Sequence, residues 1–230
     1  MKKVFVCLMA AVLGLSSCQF VTISGNAFNK KTIRCNGPVE TRVIEGLDAF
    51  ESVMMNGHSD ITFIQSETFE VSVYANQEVF DYLDFHTDDG VLVIQTQKDV
   101  NLRATDFEVT VKAPVLTQLT VNGAADLDMA DYSADKDLQL TVNGAGDLKL
   151  SHLQVPSLTI GINGAGDVNA YSLEVETLSV IVSGAGDAKL TGKAQHATLS
   201  VSGAGDIDAR GLECEDIQVS KSGMAAIRLK

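Results

Sequence analysis

The chain has 230 residues, of which 45% are hydrophobic, so it can bury the core of one large domain or two small ones. Its 30 acidic and 17 basic residues give a formal net charge of −13, and such a surface repels phosphate backbones, which argues against nucleic acid as a partner. The 19 glycines recur at a fixed spacing, which indicates a repeat protein.

The N-terminus has the pattern of an export signal. Lys2 and Lys3 precede an apolar run over residues 4–15, which is too short to span a bilayer of about 30 Å as a helix. The run ends in Leu-Ser-Ser-Cys at 15–18, which resembles the lipobox of bacterial lipoproteins. That resemblance implies cleavage before Cys18 and acylation of its thiol, for example by palmitate, and several acyl chains anchor a protein stably. Gln19 resembles the sorting residue of outer-membrane lipoproteins, which implies the outer membrane. Both the periplasmic and the surface side of that membrane remain as alternatives.

We therefore predict a signal peptide over residues 1–17 and a lipidated tether over residues 18–39; an ordinary secretory peptide is the alternative. Cys35 and Cys214 are the cysteines that remain after the signal and the lipid site. They lie near opposite ends of the mature chain, which disfavours a disulfide between them but leaves it open.

Residues 40–115 contain strand patterns at irregular intervals. Apolar alternation predicts strands near 69–74, 91–96 and 107–112, and residues 79–83 fit a helical turn. We interpret this half as irregular coils of the repeat structure that follows it; a small β-sandwich over 44–114 is the alternative. The aromatic residues within 74–86 either close the end of that structure or bind a ligand.

From residue 116 the sequence repeats a unit of about twenty residues. Each unit alternates apolar and polar residues on both sides of a glycine-rich corner, as with Leu140 and Val142 before the corner and Leu148 and Leu150 after it. Alternation of period two predicts half-buried strands, and the repeat predicts coils stacked about 4.8 Å apart. The predicted fold is all-β, a single parallel β-helix or solenoid over 40–230 with regular coils at 116–230.

The corners contain the predicted structural sites. Sharp turns favour glycine because it adopts positive φ, stacked asparagines form an amide ladder that serines continue, and an aspartate after each turn accepts backbone N–H bonds. The residues concerned are Asn122, Asn143, Asn163, Ser183 and Ser202 in the ladder, glycines Gly144, Gly146, Gly164, Gly166, Gly184, Gly186, Gly203 and Gly205, and aspartates Asp126, Asp147, Asp167, Asp187 and Asp206.

The stacked aspartates raise the question of a metal ion. Carboxylates about 5 Å apart repel by roughly 1 kcal/mol even in water, so something must offset their charge. We favour turn N–H groups and solvent, with Ca²⁺ at Asp147, Asp167 and Asp187 as the alternative. The four histidines are isolated in the sequence, which disfavours a zinc site.

No catalytic residue is predicted. The acids recur regularly, whereas a glycosidase needs one pair of carboxyl groups at a cleft. The Gly-Ala-Gly-Asp corners lack the Lys-Ser/Thr tail and the following helix of a phosphate loop, and no Gly-x-Ser-x-Gly elbow occurs. We therefore expect neither a cofactor nor an enzymatic activity; a polysaccharide-active enzyme on a β-helix is the alternative.

The repeated corner, Val-Asn-Gly-Ala-Gly-Asp at 142–147 and Gly-Ile-Asn at 161–163, resembles the family called putative auto-transporter adhesin, head GIN domain. Residues 46–53 resemble the opening phrase of that family, and the likeness extends to about residue 227. The resemblance implies a parallel β-helix-like fold in envelope lipoproteins of Bacteroidota type, without an established activity. We expect a membrane-anchored binding or adhesion scaffold for a glycan or a protein, of unknown oligomeric state, or else a purely structural envelope protein.

Overall fold

The computed structural model describes residues 31–104 and 106–230. Residues 31–230 form one compact unit, and this unit is all-β, so the predicted fold class is confirmed at that level. The predicted signal peptide, Cys18 and residues 18–30 of the predicted tether lie outside the described residues.

Fifteen strands and one short 3₁₀ helix make up the described part of the chain. The helix, Gln77–Tyr82, lies where a helical turn is predicted. The strands are β1 Lys31–Cys35, β2 Val39–Val43, β3 Ser52–His58, β4 Asp60–Gln65, β5 Glu70–Asn76, β6 Leu83–Asp88, β7 Val91–Thr96, β8 Val100–Ala104, β9 Phe107–Ala113, β10 Gln118–Ala124, β11 Leu127–Ser133, β12 Leu138–Ala145, β13 Leu148–Ala165, β14 Val168–Ala185 and β15 Ala188–Arg228.

Successive repeat units pair side by side in parallel, with equivalent residues opposite each other. Val142 lies opposite Val121 of the preceding unit and Ile162 of the next. We call the segments before the glycine corners the pre-corner arm, and the segments after them the post-corner arm. The pre-corner arm comprises β3, β10, β12 and residues 157–165, 177–185 and 196–204; the post-corner arm comprises β4, β11 and residues 148–155, 168–175 and 188–194.

The core is a set of aliphatic columns between the two arms. Alternate residues of each arm are buried, so that Leu140, Ile160, Val180 and Leu199 follow one another in successive units. Burying each such side chain contributes about 1.5–3 kcal/mol, but only when a neighbouring unit covers it. The stack therefore folds cooperatively, unit against unit.

The order of units along the sheet differs from their order in the chain. β3 pairs with both β7 and β10, and β4 pairs with both β9 and β11. After the β3–β4 unit, the chain thus forms β5 to β9 on one side of it. Residues 114–117 then lead back to its other side, where β10 and β11 pair with β3 and β4. The buried Tyr132 hydroxyl fixes this return, since it donates to the Leu116 carbonyl oxygen at 2.7 Å and accepts the Leu116 N–H at 2.9 Å.

The strands of residues 39–113, except β8, therefore belong to the same curled, half-barrel sheet as the repeats. Beyond β7 and β9 the pairing becomes antiparallel, through β6 on one arm and through β5 and β2 on the other. Phe80, Tyr82 and Phe85 pack against the core at this end. They close the core, which is the first of the two roles predicted for these aromatic residues.

Strand β1, Lys31–Cys35, lies ahead of the predicted domain start at residue 40. β1 lies in the stretch assigned to the tether and pairs in parallel with β8. Cys35, at the end of β1, is a buried free thiol whose pKa is raised by burial and by the negative charge of Glu78. Cys214 is also a free thiol.

Candidate binding surface

The corners are held by close approach of the backbones of successive units. Gly164 has φ +147°, and a Cβ placed there would lie 1.9 Å from the carbonyl oxygen of Gly144. Positive φ alone explains why glycine is favoured, but the carbonyl of the neighbouring unit excludes any side chain. The same contact recurs at first glycines Gly123, Gly144, Gly164, Gly184 and Gly203 and at second glycines Gly146, Gly166, Gly186 and Gly205.

The corner asparagines form a continuous hydrogen-bonded row. The Nδ2 of Asn122 donates to the Oδ1 of Asn56, that of Asn143 to Asn122, and that of Asn163 to Asn143, each at 2.9 Å. Ser183 and Ser202 occupy the next two positions of the row. All the amides therefore point their donors the same way along the stack.

The corner aspartates are joined through the backbone. The Oδ1 of Asp126 accepts the N–H of Asp147 at 2.8 Å, and the same bond repeats at Asp147, Asp167 and Asp187. The N–H groups thus come from the next unit and not from the same turn. At the end of the column Asp206 accepts from the Ala226 N–H and from Arg228 Nη2. These donors offset the mutual repulsion of the carboxylates.

A metal ion is the alternative means of offsetting the charge of these aspartates. Among residues 31–104 and 106–230, no group of three or more His, Cys, Asp or Glu residues is placed to hold a metal ion. The predicted calcium ligands Asp147, Asp167 and Asp187 each engage one oxygen with a neighbouring backbone N–H, as described above.

At the row that begins the pre-corner arm, His196 Nδ1 lies 3.5 Å from Asp216 Oδ2. The three outward positions that follow in each pre-corner strand, together with three of β7, form a surface with no acidic or basic residue. We call this surface the neutral face. One residue in five of the chain is charged, which would place about four charges among these twenty-one positions. The residues are Val91, Val93 and Gln95 of β7, then Ser52, Met54, Asn56, Gln118, Thr120, Asn122, Gln139, Thr141, Asn143, Thr159, Gly161, Asn163, Ser179, Ile181, Ser183, Thr198, Ser200 and Ser202.

Charge returns where the neutral face ends. On β6, Asp84, His86 and Asp88 lie opposite Gln95, Val93 and Val91. Gln95 Nε2 donates to Asp84 Oδ2 at 2.8 Å, and this bond holds the pKa of the Asp84 carboxyl below its usual value, with a further contribution from His86. The boundary is therefore set by a charged, hydrogen-bonded strand.

The post-corner arm has the same alternation but bears charges on its outward side. Asp128 lies opposite Lys149, and Asn169 lies between Lys149 and Lys189. Opposite charges in adjacent strands stabilise a sheet, so the fold tolerates charge at these positions. Neutrality of the other arm is therefore not a requirement of the repeat.

An open groove of about 950 Å³ follows the turns that lead from each post-corner segment into the next unit. Val155, Val175 and Ala194 are buried along it, and Glu174 lies between Gln154 and Lys193 in the register of its strands. Five acidic residues line this groove with one lysine, Lys193; the acidic residues are Asp135, Glu174, Glu176, Glu213 and Glu215.

The repeat pattern predicts the ladder and corner residues individually but does not locate the neutral face. The signal is present in the printed sequence, because the last three alternate positions ahead of each corner, such as Gln139, Thr141 and Asn143, are uncharged; acidic residues such as Asp137 and Asp216 occur only farther from the corner. The face emerges only from the strand register, which places β3 beside β10 and β7 beside β3.

Comparison with solved structures shows the same fold in two bacterial proteins. A putative lipid binding protein from Parabacteroides distasonis ATCC 8503 superposes with a TM-score of 0.74 at 20% identity, over 87% of this chain and 100% of that one. A putative adhesin from Bacteroides fragilis NCTC 9343 gives 0.69 at 17% identity, over 86% and 100%. No curated protein matches the chain significantly.

Helices long and apolar enough to cross a bilayer are not found in the described part of the chain. A family model described as putative auto-transporter adhesin, head GIN domain, matches residues 49–230. The match begins just before β3 and includes every repeat unit. The chain belongs to the family of putative auto-transporter adhesins with a head GIN domain.

Proposed function

We propose that this protein is a membrane-anchored, non-catalytic binding or adhesion protein of the bacterial cell envelope, which holds a glycan or a protein on its neutral face. The observation that carries the proposal is a charge-free surface seven strands wide on a chain of net charge −13. Family membership and the names of the two similar structures, an adhesin and a lipid binding protein, agree with a binding role.

The proposal includes a full parallel β-solenoid over residues 40–230 as the scaffold. The parallel register of the repeat units and their stacked corners support it. In this arrangement the corner ladders and aspartates are structural, and their role is to hold the strands of the neutral face in line. A solenoid is long and rigid, so it displays a surface that grows with the number of coils.

The proposal also includes a lipid anchor on Cys18, supported by the Leu-Ser-Ser-Cys sequence. Cells grown with an alkyne-tagged palmitate should label the wild-type protein, and Cys18→Ser should abolish the label and release the protein from membranes. Labelling that survives this substitution would contradict the anchor. The binding role does not depend on this result.

Charge placed on one arm or the other tests the binding face. Thr141 lies on the neutral face beside Thr120 and Gly161, and Ser151 lies on the post-corner arm beside Ala130 and Tyr171. Both are half-buried, so Thr141→Lys and Ser151→Lys are a matched pair. Full-length protein in detergent is tested by biolayer interferometry against mucin, matrix proteins and immobilised glycans.

We expect Thr141→Lys to weaken binding at least tenfold and Ser151→Lys to leave it unchanged. Equal effects of the two substitutions would contradict a role of the neutral face. Turnover of any polysaccharide in the panel by the wild-type protein would contradict the non-catalytic assignment.

A further inference from the structure

We infer that the ligand of the neutral face is an uncharged, polyhydroxylated chain, a neutral polysaccharide, that lies along the stack and crosses the strands. This inference rests on the proposed function, because it names the ligand class for the same face. It follows from the hydrogen-bonding groups of the face, its lack of charge, its lack of aromatic and Arg side chains, and its dimensions.

The asparagine row presents paired donors and acceptors. Each amide has two N–H donors and two acceptor lone pairs. Within the row, Asn143 uses one N–H on Asn122 and one lone pair for Asn163. One donor and one acceptor therefore remain at each exposed amide, fixed in orientation and repeated about every 4.8 Å. A sugar hydroxyl is itself both donor and acceptor, so a row of hydroxyls matches this surface group for group.

The row is also preorganised. Immobilising a rotamer-rich side chain on binding costs about 0.5–1.5 kcal/mol, and the bonds between Asn122, Asn143 and Asn163 have already fixed these side chains. The adjacent outward positions are short hydroxyl residues such as Thr120 and Thr141. β-Branching limits their rotamers as well.

Charge selects against ionic ligands. The protein is acidic, so anionic polymers are repelled over most of its surface and find no cation on the neutral face. A cationic ligand is attracted to the acidic surfaces elsewhere on the protein, and it finds no carboxylate on the neutral face. An uncharged polymer is therefore the ligand that the neutral face itself suits.

A protein partner or a second copy of the chain lacks suitable anchors here. The residues that contribute most of the binding energy in protein interfaces are enriched in Trp, Tyr and Arg, and the neutral face has none of these three. Its exposed large apolar residues are Met54 and Ile181, at 36% and 41% exposure. Seven strands by about five residues give roughly 500 Å², whereas a standard interface needs about 800 Å² per partner.

The direction of the ligand follows from the rows. Equivalent residues recur along the stack, so a chain that follows them meets the same groups at every unit over about 29 Å. A chain running along one strand would meet only three outward residues. Affinity should therefore rise with the length of the oligosaccharide until it spans the face.

The test uses full-length protein on an array of neutral, carboxylated and sulfated oligosaccharides of increasing length, with dextran and dextran sulfate as a pair that differs in charge. Asn143→Asp replaces one amide of the row by an isosteric carboxylate. Asn169→Asp makes the same change on the post-corner arm and is the control. Thermal melts establish that both variants are folded, and Thr141→Lys serves as a second face variant.

We expect the bound members to be neutral, their affinity to increase with length and then level off, and Asn143→Asp or Thr141→Lys to weaken binding at least tenfold while Asn169→Asp has no effect. An array without a neutral ligand, or one bound only by anionic glycans, overturns the inference. If proteins bind instead and Thr141→Lys abolishes that binding, the proposed function survives and the glycan assignment fails. If the face variants change no binding at all, both fail.

Discussion

The stacking of the corners predicts a large difference between two glycine-to-alanine substitutions in the same strand. At Gly164, alanine must adopt φ +147° and place its Cβ 1.9 Å from the Gly144 carbonyl oxygen. The backbone conformation alone costs on the order of 1–3 kcal/mol. The clash is with backbone, so relief requires the two units to separate and to lose ladder hydrogen bonds worth about 1 kcal/mol each. We expect Gly164→Ala to destabilise the protein by about 3 kcal/mol or more.

Gly161 provides the control within β13. Its Cβ would meet Thr141 at 3.8 Å, an ordinary contact. Alanine there should change the free energy of unfolding by less than about 0.5 kcal/mol, as for most substitutions away from special features. Urea unfolding followed by far-UV circular dichroism measures both variants. Equal midpoints for Gly164→Ala and Gly161→Ala would refute the account of the corners, because they would show that the units do not approach each other as closely as described.

Three further predictions concern the return segment, the aspartate column and the last strand. Tyr132→Phe leaves a buried N–H and C=O of Leu116 unpaired and should cost about 2–4 kcal/mol in urea unfolding. Burial raises the pKa of Tyr132, so the unfolded chain loses this proton at a lower pH than the folded protein does. The free energy of unfolding of the wild type should therefore fall as the pH rises above about 10, and it should fall less steeply in Tyr132→Phe. Equal pH slopes for the two proteins would contradict this. Asp167→Asn keeps the acceptor for the Asp187 N–H and removes like-charge repulsion, so its melting temperature should equal or exceed that of wild type, whereas Asp167→Ala should melt lower. Neither Ca²⁺ nor a chelator should shift these melts, and a rise with Ca²⁺ would favour a metal site. Lys221 occupies the position at which other units have an aliphatic residue that faces the core. A charge at this position of an edge strand hinders pairing with another molecule, so Lys221→Val should increase self-association, as measured by analytical ultracentrifugation. An unchanged monomer fraction would count against this role of Lys221.

The regular half of the fold can be predicted from the sequence because every stacked unit buries the same positions and turns at the same glycines. Alternation fixes which residues face the core, and the spacing of the glycines fixes which residues become neighbours. The repeat spacing alone therefore pairs Val142 with Ile162, and the two residues lie opposite each other in the sheet. The all-β class follows from the same pattern.

The irregular half was less predictable for a topological reason. Nothing local in the sequence states that the β3–β4 unit lies between β7 and β10, since strand pairing depends on long-range contacts. The sequence does not indicate β1, because its exposed residues lack an apolar alternation. The backbone also has positive φ at Asp131, His152 and Ser172, which occupy equivalent places in three successive units, and no glycine marks these positions.

The two arms of the repeat allow a distinction between what folding demands and what it leaves free. In-register stacking places every charge about 4.8 Å from its equivalents, where two like charges repel by roughly 0.9 kcal/mol in water. The post-corner arm avoids that repulsion by pairing Asp128 with Lys149 and by setting Asn169 between two lysines. The neutral face avoids it by having no acidic or basic residue. Either solution satisfies the sheet, so the fold does not dictate which arm is uncharged. Contact with an uncharged ligand, as proposed above, would favour the uncharged solution on the arm that makes the contact.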